Sequence, residues 1–165
     1  MEHTALAFTK SQSQKATGDA HLKFQLGQKV PACFSMDHVQ EAIVLPAHRL
    51  TPIPNMSTCL LGLMNRRSRV VWVVDLALML GISRLNPSVQ QYSLVMIQVG
   101  SVPLGLAVQR IEGIRWIQKD VIQSPLGQVT PALVPYLRGC VLQPQEIVLV
   151  LDAEAIVQSP ILQQY

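Results

Sequence analysis

The sequence predicts a mainly β protein composed of two small barrels with a few short helices. Short apolar runs recur along the chain and are separated by turns rich in glycine, proline and asparagine, a pattern typical of small barrels. The chain also repeats itself: Gly62 and Asp75 bracket an apolar strand pair, and Gly139 and Asp152 bracket another with the same separation. Self-similarity at a fixed offset indicates a duplicated architecture.

A second match upstream supports the duplication. A Val-Pro pair at residues 30–31 is followed by Val39, and a Val-Pro pair at 102–103 is followed at the same distance by Ile111. The unit is too long for a solenoid repeat and occurs only twice. We therefore expect one domain over residues 21–158, made of two related β-barrel subdomains at roughly 22–82 and 92–157.

In the first unit, residues 22–26 alternate apolar and polar side chains, which places one face of a strand on a core. Some apolar residues of the segment 37–45 have helical spacing, but its β-branched content favours a turn followed by a strand. Prolines make 47–56 a loop. We expect strands at 22–26, 30–36, within 37–45, at 60–64 and at 70–74, and a short helix at 76–80 that Asp75 caps and Gly81 ends.

The second unit follows a polar link at 84–91, which contains Asn86-Pro87. Three prolines make 123–135 a surface loop. The expected strands are 93–99, 103–108, 114–117, 136–142 and 147–151, followed by a closing helix at 153–157 and a polar tail.

Composition describes a chain with few charges. Of 165 residues, 49% are hydrophobic and 14% are charged, and the net charge is +3. An average soluble domain has roughly 25% charged residues, so contiguous apolar surface and hence partner interfaces are expected. No run approaches the roughly 20 apolar residues of a membrane-spanning helix, and no signal peptide is visible. We expect a cytoplasmic protein whose residues 1–20 form a disordered tail.

The sequence contains no recognisable catalytic or metal-binding motif. Cys33, Cys59 and Cys140 lie in apolar runs and are expected to be buried thiols. His38 and His48 lie in loop-like positions without a suitably spaced third ligand, so neither a metal site nor a cofactor is expected. Asp75 and Asp152 occupy equivalent positions in the two units, which favours helix capping over acid–base catalysis.

A cluster of arginines lies between two apolar strands, in the run Asn-Arg-Arg-Ser-Arg at 65–69. A charged turn fixed by two buried strands is typical of a recognition site, and arginine is enriched in interface hot spots. Strand alternation predicts that Arg67 and Arg69 lie on one side of the turn and Arg66 on the other. The cluster is interpreted as a protein-docking turn, with a solvated turn and a phosphate-binding patch as alternatives.

An ordered set of motifs extends over residues 22–157. It consists of Phe24, Leu26-Gly27, Val39-Gln40-Glu41, Thr51-Pro52-Ile53-Pro54-Asn55, Gly62, Asn65, Arg67, Val73-Val74-Asp75-Leu76, Gly105-Leu106, Val108, Leu149 and Leu151-Asp152. No single motif is decisive, but the set resembles the CheW family, the adaptor proteins of bacterial chemosensory arrays. The variant Asn-Arg-Arg-Ser-Arg at 65–69, followed by Val-Val-Trp-Val-Val-Asp-Leu, is similar to CheW-like proteins of cyanobacterial phototaxis and pilus-motility systems.

The resemblance implies a CheW-like fold of two five-stranded β-barrels around a shared apolar core. It also implies a protein without catalytic activity or cofactors, which bridges the regulatory domain of a CheA-type histidine kinase to the cytoplasmic tip of a methyl-accepting receptor. Neither nucleic acid nor direct membrane insertion belongs to that function. Association with the membrane is expected only through receptor arrays.

The resemblance also implies contact residues. Val39, Glu41 and Gly62 match positions of kinase contacts, and on that basis Gly62→Asp is expected to abolish kinase binding without affecting the fold. Arg67, Val108 and Ile111 match positions of receptor or array contacts. Arg66 and Arg69 are expected to be charges that orient the partner.

Three residues depart from the family pattern. Ser68 replaces a usual glycine, which changes the turn if that glycine has positive φ. Arg66 replaces a usual leucine and adds charge, and Gln109 replaces an aspartate found in many members.

Two other functions remain open at the level of sequence. One is a small β-barrel that binds nucleic acid through arginines, and its binding would weaken steeply with salt. The other is a hydrolase in which His48 or His38 activates Cys59. The arginines of the first alternative are Arg66, Arg67, Arg69, Arg110 and Arg115.

Overall fold

The computed structural model describes residues 18–163. Within them the chain forms ten strands and a few short helices, which confirms the predicted mainly β class. The strands are β1 (Asp19–Gln25), β2 (Pro31–Ser35), β3 (Val39–Pro46), β4 (Leu60–Arg66), β5 (Arg69–Asp75), β6 (Gln91–Val99), β7 (Val102–Val108), β8 (Arg110–Ile117), β9 (Leu137–Leu142) and β10 (Ile147–Leu151).

The helices are all short. The α-helices are α1 (Leu76–Met79), α2 (Ala153–Val157) and α3 (Pro160–Gln163), and 3-10 helices cover Ala47–Arg49, Lys119–Val121 and Pro131–Tyr136. As predicted, Asp75 and Asp152 cap α1 and α2. The Asp75 carboxylate accepts a hydrogen bond from the Leu78 amide at 3.3 Å, and the Asp152 carboxylate accepts one from the Ala155 amide at 3.1 Å.

The strands form two five-stranded sheets. Sheet A has the order β8-β1-β2-β10-β9, and sheet B has the order β3-β6-β7-β5-β4. In each sheet, two hairpins are joined side by side through a parallel pair, β2 with β10 and β7 with β5. The two orders become identical when the first and second halves of the chain are exchanged, so the repeat in the sequence corresponds to a repeat in topology.

The division of strands between the sheets differs from the predicted subdomains. Strands β3 to β5 belong to the first half of the chain, yet they pair with β6 and β7 of the second half. In the same reciprocal way, β1 pairs with β8 and β2 pairs with β10 of the second half. Sequence similarity identifies equivalent strands but not which copy each strand pairs with, so the expected barrels at 22–82 and 92–157 do not correspond to the sheets.

The duplication extends to individual hydrogen bonds. In each half, one loop residue pairs with an edge strand at an equivalent place. The backbone amides of Thr51 and Leu63 each donate to the other residue's carbonyl, at 2.8 and 2.9 Å, and those of Gln123 and Cys140 do the same, at 2.8 and 2.9 Å. In both halves, the backbone amide of the aspartate before the helix donates to the carbonyl of the residue that precedes the hairpin. Asp75 donates to Cys59 and Asp152 donates to Tyr136, each at 2.8 Å. The same backbone framework was therefore built twice.

Three apolar clusters fill the structure. A central cluster packs strands of both sheets with α1 and α2, and it includes Phe24 and Phe34, whose rings stack at 5.6 Å. A second cluster of eight buried residues lies on the other face of sheet B, and a third with four lies on the other face of sheet A. Burial of this surface is the main stabilising contribution to the fold.

Other predictions fail at the ends of elements. Strand β1 begins at Asp19, inside the predicted tail, because Asp19 pairs with Ile117 of β8; residues 1–17 of that tail lie outside the described residues. Tyr136 belongs to a 3-10 helix because Pro131 and Pro135 fix φ there. The expected polar tail after 157 contains α3, which packs Ile161 and Leu162 against the central cluster. None of the helices formed by residues 18–163 is long and apolar enough to cross a membrane.

Candidate functional site

The arginine turn, residues 66–69, is a two-residue β-hairpin connection. Arg66 and Arg69 form the last pair of β4 and β5, and between them Arg67 has φ 52° and Ser68 has φ 65°. Positive φ at both central residues defines a type I′ turn, whose twist matches that of the flanking strands. Ser68 therefore adopts the backbone conformation that favours glycine, so the turn keeps this shape despite the substitution.

Glu41 of β3 is the partner of this turn. The Arg66 Nε donates to Glu41 Oε2 at 3.0 Å and the Arg66 Nη2 donates to Glu41 Oε1 at 2.6 Å, which is a bidentate pair. Arg67 Nη2 lies 3.5 Å from the same Oε1. The hydrogen bond from Arg66 holds the pKa of the Glu41 carboxyl below its ordinary value.

This ion pair joins the two edges of sheet B. Strands β3 and β4 are at opposite ends of the strand order, so the sheet must curl to bring Glu41 and Arg66 together. Arg69 makes a further connection by donating to the carbonyl of Ser101, in the turn between β6 and β7, at 3.0 Å. Analysis of the sequence missed Ser101, and the only available signal was the hairpin turn at Gly100.

The predicted orientation of the arginines is wrong. Arg66 and Arg67 both approach Glu41, whereas Arg69 is directed toward Ser101. Strand alternation does not continue through a turn whose two central residues have positive φ. It therefore cannot predict on which side of the hairpin the side chains of the turn lie. The side chain of Arg67 remains 77% exposed, since Arg66 already makes both of the short bonds to Glu41.

A cavity of about 160 Å³ lies beneath the arginine turn. Its charged rim is formed by Glu41 and the three arginines, and its floor is more apolar. The site therefore presents fixed charges around a cavity whose apolar lining residues Val71, Met96 and Ile97 are buried, so its accessible surface is mainly polar. The lining residues are Gln40, Glu41, Arg66, Arg67, Arg69, Val71, Met96, Ile97, Gln98 and Pro103.

Val39 and Ile111 occupy equivalent places in the duplication. The pairing register shifts after Val39, opposite Ile97, and next to Ile111, opposite Phe24, so each lies at a β-bulge. Both are half-buried and pack against the central cluster. Their exposed fraction leaves each of them available to a partner at the border between the two sheets.

Val108 and Gly62 have little surface to offer. Val108 is 3% exposed in the central cluster. Gly62 is buried with φ 148°, and a Cβ there would lie 2.5 Å from the carbonyl oxygen of Thr51. A side chain at 62 would displace the loop at Thr51, so from the structure we expect Gly62→Asp to disturb the fold, contrary to the expectation from the sequence.

The structure thus groups the predicted residues differently from the resemblance. Glu41, assigned to the kinase, contacts Arg67, assigned to the receptor. Gly62 lies four residues before Arg66 on β4, near Thr51, and Val108 ends β7 at the end remote from the arginine turn. Gln109 is exposed. Its backbone amide donates to the backbone carbonyl of Gln25 at 2.9 Å, and this bond holds the start of β8 against β1.

The thiols and histidines form no nucleophilic arrangement in the part of the chain that the structure describes. Cys33, Cys59 and Cys140 are free and buried, as predicted. Burial raises the pKa of Cys33 to about 12 and also raises the pKa of Cys140, so neither forms a thiolate readily. Between residues 18 and 163, no group of three or more His, Cys, Asp or Glu side chains could hold a metal ion.

Comparison with known proteins agrees with this architecture. The family model for the CheW-like domain matches residues 20–160. Chemotaxis protein CheW of Thermotoga maritima is 26% identical over 138 residues, which cover 84% of this chain and 87% of that protein. Chemotaxis protein CheW of Treponema pallidum is 24% identical over 144 residues, covering 86% and 83%.

Two further likenesses add a third relative and a solved fold. Protein PilI of Pseudomonas aeruginosa is 29% identical over 96 residues, which cover 58% of this chain and 53% of PilI. The crystal structure of the scaffolding protein TtCheW from Thermoanaerobacter tengcongensis superimposes with a TM-score of 0.71 at 18% identity, covering 82% of this chain and 90% of that one. The family model matches most of the length of the chain, which shows that the chain belongs to the CheW-like domain family.

Proposed function

We propose that this chain is a non-enzymatic adaptor that couples chemoreceptors, or photoreceptor-type methyl-accepting proteins, to a CheA-type histidine kinase in a chemotaxis or pilus-motility system. Membership of the CheW-like family supports a scaffold role in chemotaxis signalling. The observation that carries the proposal is the arginine turn, in which Arg67 stays exposed while Arg66 is fixed on Glu41.

The kinase would contact the surface around Val39 and Glu41. Val39 supplies half-buried apolar area at a β-bulge, and Glu41 lies two residues further along the same strand with its carboxylate oriented by Arg66. Preorganised side chains lose little conformational entropy on binding, so a small surface can be specific. Gly62 would act indirectly, by allowing the Thr51 loop to approach β4.

The receptor would meet Arg67 and the border between the sheets near Ile111. The guanidinium of Arg67 is largely exposed, because Arg66 makes both short hydrogen bonds to Glu41. Its planar fork suits carboxylates or backbone carbonyls. Arg66 and Arg69, each tied to a neighbouring element, would orient the partner. Val108 would support this surface from within the central cluster instead of making contact.

The nucleic-acid alternative gains no support from the placement of its arginines. Arg66 is paired with Glu41 and Arg110 with Glu112, so a carboxylate offsets the positive charge of each arginine. Arg66, Arg67 and Arg69 lie on sheet B, whereas Arg110 and Arg115 lie on β8 of sheet A. A nucleic-acid surface requires clustered, unpaired cations that track a phosphate backbone.

The test is calorimetric titration of the full chain with a full-length CheA-type kinase from the same genome, at low and high salt. We expect saturable binding in the micromolar range that is weakened by Glu41→Gln. Arg84→Ala, at an exposed arginine in the link before β6, is the matched control and should bind like the unmodified chain.

A receptor arm separates the two surfaces. Arg67→Ala should weaken assembly with receptor and leave the kinase titration nearly unchanged. Thermal unfolding of every variant excludes misfolding as the cause. Absence of kinase binding at both salt concentrations would contradict the adaptor function, and salt-sensitive binding to DNA or RNA in its place would favour the alternative.

A further inference from the structure

The duplication allows the interiors of the two sheets to be compared position by position. Each sheet has one face on the central cluster and another face that encloses a cluster of its own. Strand pairing makes the positions on these enclosed faces equivalent, because Lys23 pairs with Cys33 as Met96 pairs with Gly105. The equivalent pairs are His21 with Leu94, Lys23 with Met96, Cys33 with Gly105, Arg115 with Ile43, Val148 with Val71 and Val150 with Val73.

The enclosed face of sheet B is apolar, and it is closely packed beside Gly105. An added Cβ at 105 would come within 3.3 Å of the Met96 sulfur and of a Val73 methyl. A side chain at 105 would therefore require these neighbours to move by a few tenths of an ångström. The cavity beneath the arginine turn lies further along the same face, beside Val71 and Met96.

Sheet A carries a cysteine at the equivalent position and has a cavity of its own there. A cavity of about 210 Å³ lies beside Cys33. An apolar cavity of roughly 150 Å³ is large enough to bind benzene. Its lining residues are Lys23, Cys33, Arg115, Trp116, Ile117, Val141, Gln143 and Val148.

Two cations line this cavity where sheet B has apolar side chains. The Lys23 ammonium bonds to Glu146 at 2.7 Å and lies 3.5 Å from Glu112, so one of its three donors is not committed to a carboxylate. Arg115 donates to the carbonyl of Ile114 at 3.1 Å, and no carboxylate of the described residues lies within salt-bridge distance of it. A guanidinium with unused donors can bind a carboxylate through two parallel hydrogen bonds.

We propose that this cavity of sheet A, which is bordered by the exposed Arg115, is a binding site for a small organic carboxylate with an apolar body. The carboxylate would lie against Arg115 and the remaining donor of Lys23, and the body would fill the space beside Cys33, Val141 and Val148. Ligand sites in proteins combine such apolar walls with a few charged groups that fix orientation. The site is separate from the arginine turn, which belongs to sheet B.

Benzoate is a suitable probe, because its ring is the size of the benzene that a smaller cavity accepts. Titration of the full chain, followed by NMR of the backbone amides, should give saturable shifts at Cys33 and Val148. Arg115→Ile and Lys23→Met introduce the residues that sheet B has at these places, and each should weaken binding at least about tenfold, as expected for loss of charge-assisted hydrogen bonds. Arg138→Gln, at an exposed arginine of β9, is the control and should not change affinity.

Two measurements on the unmodified chain keep the test decisive if a variant misfolds. Benzamide, which has the same shape without the charge, should bind at least about tenfold more weakly than benzoate. Bound benzoate should also give intermolecular nuclear Overhauser contacts to the methyl groups of Val141 and Val148, which line the cavity, and none to those of Val71 in sheet B. Equal binding of benzoate and benzamide, or no saturable shift in the millimolar range, would overturn the proposal.

Discussion

Arg66 holds Glu41 with two hydrogen bonds, of 3.0 and 2.6 Å, and thereby connects the first and last strands of sheet B. Glu41 lies on β3 and Arg66 ends β4, so no backbone ladder in the described chain links the two strands directly. Arg67 lies 3.5 Å from the same carboxylate and makes no shorter contact with it. Two neighbouring arginines thus compete for one acid, and the nearer one leaves the other exposed.

This competition predicts unequal coupling energies. In double-mutant cycles on unfolding free energy, Glu41 should couple clearly to Arg66 but by no more than about 0.2 kcal/mol to Arg67, the low end for exposed pairs. In an Arg66→Leu background, the coupling between Glu41 and Arg67 should increase, because the carboxylate becomes available. Denaturant unfolding measures all the cycles. Equal coupling of both arginines in the unmodified background would contradict the geometry.

The lowered pKa of Glu41 predicts a pH dependence. In the unfolded chain this carboxyl titrates near its ordinary value of about 4.3, and in the folded chain it titrates lower, because Arg66 stabilises the charged form. The contribution of the pair to stability is therefore fully present above the ordinary pKa and is lost as the pH falls through the folded pKa.

The experiment compares unmodified protein with Glu41→Gln at several pH values. The difference in unfolding free energy between them should be constant from pH 7 to 5 and should decrease toward pH 3. Glu112, whose pKa is lowered chiefly by a hydrogen bond from Gln25, is present in both proteins and cancels. A difference that does not change with pH would show that the pair contributes nothing through charge.

Ser68 predicts a gain in stability on substitution. Its φ of 65° is in the left-handed region, which costs a residue with a Cβ roughly 1–2 kcal/mol. Ser68→Gly should raise the unfolding free energy by about 1 kcal/mol, since part of the relief is offset by greater entropy of the unfolded chain. Ser68→Ala keeps the Cβ and serves as the control. Equal stability of the glycine and alanine variants would show that the backbone at 68 is not strained.

Gly62 predicts a large loss. Gly62→Ala combines positive φ with a Cβ only 2.5 Å from the Thr51 carbonyl oxygen, and should destabilise the fold by about 3 kcal/mol. Gly100→Ala is the matched control, because Gly100 has φ 60° and no atom within 4 Å of the added carbon. Thermal or denaturant unfolding should show a clearly smaller loss at 100. If the two losses are similar, the clash at Thr51 is relieved by movement of the loop.

The sequence predicted the elements better than their assembly. Alternation and turn residues placed β4, β5 and α1 to within a residue or two, because these are local consequences of the chain. The repeat identified Gly62 with Gly139 and Asp75 with Asp152, and the structure places both pairs in the same environments. Which hairpins share a sheet depends on packing between distant segments, and no local pattern encodes it.

The candidate site was only partly predictable for the same reason. The arginines are recognisable as a cluster, but the Glu41–Arg66 pair is formed by residues 25 positions apart. It requires the curl of sheet B and a turn with two positive φ angles, and the family's usual glycine at position 68 pointed to only one of them. Val108 matches a family contact position, yet its burial depends on the opposing sheet.

The duplicated helix caps predict one further asymmetry. Asp152 caps α2 through one side-chain bond to Ala155, whereas the Asp75 carboxylate accepts from Leu78 and also, at 2.9 Å, from Leu85. Loss of an N-cap costs typically about 1 kcal/mol, which is the expected effect of Asp152→Ala. Asp75 is 1% exposed, so Asp75→Ala also leaves the Leu85 amide without its acceptor and should cost about 1–2 kcal/mol more.

Denaturant unfolding of both variants gives the comparison, with each site serving as the control for the other. Asp75→Asn separates the two bonds, because an amide retains one oxygen acceptor but presents a donor to the second amide. Its stability should lie between that of Asp75→Ala and that of the unmodified chain. Equal losses for Asp75→Ala and Asp152→Ala would mean that the bond to Leu85 contributes nothing.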